Sequence, residues 1–189
     1  MARGLPRTMA RAASREAGSA PAVSGLKAVT TGAGGRFKTV FTLTAMRIAV
    51  PNANDYASQK IFDFAAGRIN IEGGTASLAF AVPTTRASTI NDSAAMDWSI
   101  GTAAASNVTL ASTMVDIVAK VDKTLDGTAA AYTTPSTANV AAAAAYDGTG
   151  TAKDAFLNIA FPTATDVDGD GTVAVSGTVT LLWSLFGDY

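Results

Sequence analysis

Residues 171–186 read GTVAVSGTVTLLWSLF, and their alternation decides the fold class. Val173, Val175, Gly177, Val179, Leu181, Trp183 and Leu185 hold every second position, while Thr172, Ala174, Ser176, Thr178, Thr180 and Ser184 fill most of the positions between. Successive side chains of a strand point to opposite faces, so a period of two describes one long strand with an apolar face and a Thr/Ser face. Gly177 marks a place for a bend or bulge midway. The same period recurs upstream. AFLNIAF (155–161) alternates Leu157, Ile159 and Phe161, and AMDWSIG (95–101) alternates Met96, Trp98 and Ile100.

Further upstream the pattern changes phase. In RFKTVFTLTAMRIAV (36–50) the apolar positions run Phe41, Leu43, Ala45 and then shift to Met46, Ile48, Val50. Such a shift predicts a bulge or a strand buried on both faces. Ile69 and Ile71 alternate with Arg68, Asn70 and Glu72; Gly73-Gly74 follows, then Leu78, Phe80 and Val82. That arrangement predicts a hairpin turning at the glycine pair. STMVDIVAKVDKTLDG (112–127) fits a helix or a strand equally well, and NVAAAAAYDG (139–148) fits a short helix or a small-residue loop packed on a neighbour. Short strands with regular turn signals and no βαβ rhythm predict an all-β fold. The expected architecture is an antiparallel β-sandwich, with a jelly roll as the candidate topology.

The 189 residues include no cysteine and no histidine. Disulfides, thiolate zinc sites and Ser-His-Asp triads are thereby excluded within the chain, as is the usual general base near neutral pH. The glycine-rich stretches TTGAGGR (30–36) and DGTGTAKDA (147–155) lack the spacing of phosphate-binding loops and read as turns. No run approaches the roughly 18 apolar residues of a membrane span. The chain is expected not to be an enzyme, with no catalytic residues.

A net charge of −1 hides an asymmetry. Residues 1–38 carry seven bases against one acid, a net of +6, and the remainder carries seven bases against fourteen acids, a net of −7. Arg3, Arg7, Arg11 and Arg15 recur every four residues, which on a helix makes one basic stripe. Residues 1–36 contain no aromatic that could stack on bases. An acidic protein surface is therefore the expected partner of this segment, rather than nucleic acid. Gly32, Gly34 and Gly35 are read as a hinge. The division that results is a basic extended arm over 1–36 and a sandwich body over 37–189.

TDVDGDG (165–171) places Asp166, Asp168 and Asp170 at alternate positions before Gly171, in the manner of the first half of a calcium loop. The twelfth position, where a bidentate Glu belongs, is Gly177. The plainer reading is a turn whose Asp and Gly residues suit turn geometry. The three aspartates are kept as a metal site for an optional Ca2+, and no other cofactor is expected.

Four segments taken in order, GRINIEGGTASLAFAV (67–82), MDWSIGTA (96–103), DGTGTAKDAFLNIAF (147–161) and GTVAVSGTVTLLWSLFGDY (171–189), resemble the small decoration, or cement, proteins of tailed-bacteriophage heads. The resemblance covers most of residues 67–189 and none of the arm. It implies a structural virion protein on the outer surface of an icosahedral capsid, often a homotrimer. Its partner would be the major capsid protein, with neither nucleic acid nor membrane involved. The alternative is a carbohydrate- or receptor-binding module of a fibre or adhesin. Trp98 and Trp183 sit in apolar alternation and read as core, which speaks against that alternative.

Overall fold

A computed structural model describes residues 18–83, 89–141, 144–163 and 165–186. The strands in chain order are β1 (Gly18–Ser19), β2 (Leu26–Ala33), β3 (Arg36–Val50), β4 (Tyr56–Phe64), β5 (Gly67–Ala81) and β6 (Ala95–Gly101). A short 3-10 turn, Ser112–Met114, precedes β7 (Val118–Thr124), β8 (Ser136–Asn139), β9 (Ala144–Gly148), β10 (Asp154–Ala160) and β11 (Gly171–Phe186). All pairings are antiparallel. Sheet A has the order β1-β4-β10-β6-β7, and sheet B has the order β2-β3-β11-β5-β8, with β9 also on β5. The two sheets pack as a sandwich, as expected. The jelly-roll topology does not follow from these strand orders.

The alternating stretch 171–186 is the longest strand, and it lies at the centre of sheet B between β3 and β5. Its apolar row faces inward, with Val173, Val175, Val179, Leu181 and Trp183 almost wholly buried. Trp183 lies tilted over Phe37 at a centroid distance of 4.7 Å and meets Phe64 edge-on at 5.0 Å, and Phe62 meets Phe41 and Phe64 edge-on. Aromatic groups bury large areas per residue, so this cluster contributes strongly to the contact between the two sheets. The indole of Trp183 donates to Thr39 Oγ1 at 3.0 Å, and that of Trp98 donates to Ser136 Oγ at 2.9 Å. Neither indole is left without a partner.

The phase shift in β3 is a bulge. Val175 pairs with Met46 and Gly177 with Leu43, so Thr44 and Ala45 together oppose Ser176. Ala45 takes a positive φ of 49°, and its amide is held by Ser176 Oγ at 2.9 Å. Gly177 sits at this irregularity with φ 141°, where an added Cβ would lie 2.1 Å from the carbonyl oxygen of Ser77.

Three expectations need correction. Gly73-Gly74 does not turn a hairpin, because β5 runs unbroken from Gly67 to Ala81. The pair instead forms an irregularity opposite Leu182/Trp183. Gly74 has φ 141°, and its missing side chain lets the strand pass Thr180 O, which a Cβ would approach to 1.9 Å. Gly32, Gly34 and Gly35 are no hinge, since they belong to the β2–β3 hairpin, whose register runs from Leu26↔Leu43 to Ala33↔Arg36. Residues 26–33 are therefore an edge strand of sheet B rather than part of an extended arm. Finally, the alanine-rich 144–148 segment is a strand on β5, not a helix. Of the ambiguous stretch 112–127, residues 118–124 are strand.

Candidate interaction face

The outer faces of the two sheets differ in what covers them. On sheet A, Ser58, Asn158 and Ser99 form one row across β4, β10 and β6, with Asn158 opposite both serines. The chain between β6 and β7 folds over that row. Asn158 Nδ2 donates to Ala103 O at 3.0 Å and Met114 O at 2.8 Å, while its Oδ1 accepts from Ser58 Oγ at 2.7 Å and the Ala105 amide at 3.0 Å. Ser99 Oγ adds a bond to Met114 O at 2.8 Å. Leu110 and Met114 close over Ala160, with Tyr56, Ala105 and Val115 at the margin. Asp116 fastens the far end of the same segment, accepting from the Thr102 amide at 2.7 Å and Thr102 Oγ1 at 2.6 Å. Burial holds the Asp116 carboxyl above its ordinary range. Tyr146 donates to Asp116 O at 2.7 Å, and burial raises the pKa of its phenol as well.

Most charges of sheet A are matched within the sheet, Lys123 being the exception with a bond to Thr134 Oγ1 at 3.2 Å. Lys60 lies between Asp63 and Asp154, and Lys120 between Asp97 and Asp122, 2.8 and 3.2 Å away. Asp97 is 5% exposed, and desolvation pushes its carboxyl up even with Lys120 beside it. A shallow cavity of about 330 Å³ opens beside this second triad, lined by Met96, Asp97, Lys120, Lys123 and Pro162. Both of its lining carboxylates, Asp97 and Asp122, are engaged by Lys120, and Lys123 bonds Thr134 Oγ1 instead.

Sheet B is different. Its outward row on β2, β3 and β11 places Val29 beside Val40 and Thr180, and Leu182 between Lys38 and Gly73. Val29, Leu182 and Phe186 are 49%, 41% and 55% exposed. They are three of the four large apolar side chains exposed among the described residues, Tyr132 being the other. The strands of this sheet carry Lys27, Arg36, Lys38, Arg47 and Arg68 against Glu72 and Asp147, a net of +3. Arg36 pairs with Glu72 at 3.4 Å, and Lys27, Lys38 and Arg47 take part in no ion pair among the described residues. A flat face with exposed apolar groups, a threonine lawn and unmatched bases is the surface most suited to a partner.

One end of the sandwich has the opposite character. The connections there are 51–55 between β3 and β4, 89–94 before β6, 125–130 after β7 and 165–170 before β11. Hydrogen bonds stitch them together: Asn91 N to Asp166 O, Asp168 N to Thr89 O, Gly127 N to Asp92 O, and Asn52 N to Asp170 Oδ1 at 2.8 Å. Their described residues include Asp55, Asp92, Asp126, Asp166, Asp168 and Asp170 and no Lys or Arg.

The predicted site residues are placed as follows. Asp166, Asp168 and Asp170 lie on the turn into β11, but no group of three or more acids among the described residues is gathered to hold a metal ion. Asp170 spends an oxygen on the Asn52 amide, and the backbone of the other two secures the neighbouring loop. Arg3, Arg7, Arg11 and Arg15 lie outside the described residues. The polar row on sheet A and the open face of sheet B escaped the sequence reading. Available signals were Asn158 inside the apolar run FLNIAF, and Leu182 and Phe186 at the polar phase of β11.

No family model matches the chain. No curated protein matches it either. Among solved structures, a chain of the cyanophage Pam1 capsid asymmetric unit is 18% identical, covering 89% of this chain and 94% of that one, with a TM-score of 0.31. At that TM-score the two chains are not shown to share a fold. No helix among the described residues is long and apolar enough to cross a membrane.

Proposed function

We propose that this chain is a structural virion protein, a decoration or cement protein bound to the outer surface of an icosahedral phage head. One observation carries the reading. The four segments that resemble such proteins supply β5 and β11 of sheet B and β6 and β10 of sheet A, four of the six interior strands of the two sheets. The likeness therefore lies in the scaffold rather than in surface loops. Under this reading the chain has no catalytic part. The major capsid protein is its partner, the copies act as an oligomer of the trimeric kind, and the basic segment at Arg3, Arg7, Arg11 and Arg15 adds an electrostatic hold on an acidic lattice. Many weak contacts repeated over a shell stabilise it by avidity. The carbohydrate-binding alternative gains nothing from the tryptophans, since both are fully buried.

The test is to purify heads with and without the protein and to follow their loss of integrity on heating. Bound protein is expected to co-sediment with heads and to raise the temperature at which they open. Failure to sediment with heads at saturating concentration would sink the proposal.

A further inference from the structure

The two uncovered, oppositely charged regions of one molecule point to a contact between copies. We infer that the acidic loop end of one copy, around Asp126 and Asp168, seats on the basic outer face of sheet B of the next, around Lys38, Arg47 and Leu182. Oligomer formation belongs to the proposed function, but the choice of these two surfaces follows from charge placement alone and holds whether or not the chain belongs to a virion.

Three observations select a second copy in this arrangement. First, the two surfaces carry opposite charges that ion pairs leave open among the described residues. Lys27, Lys38 and Arg47 are unmatched among the described residues, and the described loop end holds six aspartates without a base. Asp126 and Asp168 are exposed and make no side-chain hydrogen bond among the described residues. Second, the face cannot meet its own duplicate. A two-fold contact of sheet B on sheet B would set Lys38 and Arg47 against bases, and like charges at an interface cost several kcal/mol. A contact between two different surfaces avoids this, and such head-to-tail contacts close into rings or run on as filaments. Third, the size suffices. Strands about 4.8 Å apart and up to 16 residues long make a face on the order of 1,000 Å², against roughly 800 Å² per partner in a stable interface. Leu182, Val29 and Phe186 supply the apolar part on one side. Pro51, Pro162 and Tyr132, exposed at or beside the loop end, supply it on the other.

The experiment is sedimentation velocity on the full chain across a protein concentration series, at about 20 mM and about 500 mM salt, where screening lengths differ severalfold. Species heavier than one chain are expected at low salt, with dissociation as salt rises. Lys38→Glu with Arg47→Glu is expected to weaken association by about tenfold or more, as is Asp126→Lys with Asp168→Lys. Combining all four substitutions is expected to restore it. All four positions are exposed, and a thermal melt of each variant confirms that it folds. A protein that stays monomeric at low salt overturns the inference, and so does a fourfold variant that fails to reassociate while folded. Monomeric protein that still coats heads overturns this contact and leaves the proposed function standing. Salt-sensitive self-association without any binding to heads does the reverse.

Discussion

Asn158 is the most exacting position in the molecule for a substitution. It is fully buried, and all four of its polar valences are used, two donating to Ala103 O and Met114 O and two accepting from Ser58 Oγ and Ala105 N. Changing it to alanine does not strand every partner. Met114 O keeps Ser99 Oγ, and the Ala105 amide keeps Ser58 Oγ at 2.6 Å. Ala103 O and the Ser58 hydroxyl lose the partner that Asn158 supplied. At about 1–3 kcal/mol for each buried group left unsatisfied, Asn158→Ala is expected to cost about 2–5 kcal/mol. For a chain of this size that lowers the melting midpoint by about 4–20 °C. Asn158→Asp is expected to cost more, because it replaces two donors by a carboxylate facing two carbonyl oxygens. Thermal unfolding measures the totals, and hydrogen exchange locates them. The amides of 102–117 should lose protection first, while those of β11 stay protected until global unfolding. If Asn158→Asp melts within a degree or two of the parent, or if protection falls evenly across both sheets, the pinning argument is wrong.

Three other outcomes are expected. Folding raises the Asp116 carboxyl above its ordinary value of 3.8, so the folded state binds this proton more readily than the unfolded state. The group's contribution to stability therefore falls as pH rises through that window. Asp116→Asn should flatten that slope in denaturant titrations run upward from the ordinary carboxylate value, and an unchanged slope would refute the assignment. Gly74→Ala should destabilise by about 2–4 kcal/mol, since a Cβ there would meet Thr180 O at a backbone angle alanine avoids; a chemical melt within about 0.5 kcal/mol of the parent would contradict the close approach. Asp170→Ala should cost about 0.5–1.5 kcal/mol through loss of the Asn52 bond, with equal midpoints in Ca2+ and EDTA for the parent chain. A calcium-dependent rise of several degrees would support a metal site at Asp166, Asp168 and Asp170.

The parts of the fold readable in the sequence are those where one face is continuously apolar. β11, β10 and β6 alternate Val, Leu, Ile and Trp against small polar residues because each has one side in the core, and the break at Ala45/Met46 marked the bulge directly. β2 was not readable as a strand, because its inward residues are Leu26, Ala28, Thr30 and Gly32. Such small residues suffice for an edge strand over the large Phe41 and Phe37, yet their alternation is too weak to stand out beside Lys27 and the glycines. β8 and β9 failed for the same reason, since Ser, Thr and Ala lie on β5 with little bulk to bury. Gly73-Gly74 misled because glycine serves a close strand crossing as well as a turn, and only the neighbour at Thr180 tells them apart. The interaction face was half visible. Its apolar members stand at positions where the strand's own pattern asks for polar ones, but their juxtaposition with Lys38 and Val29 depends on pairings between distant segments.

The position of β11 has a consequence for how the chain is made. It follows the other described strands in sequence, yet it is the neighbour through which β3 and β5 join one sheet. During synthesis β3 and β5 emerge before the strand that joins them, so sheet B is completed only when β11 follows. Long-range pairings of this kind form slowly and leave strand edges exposed to other chains meanwhile. A nascent chain therefore completes sheet B late.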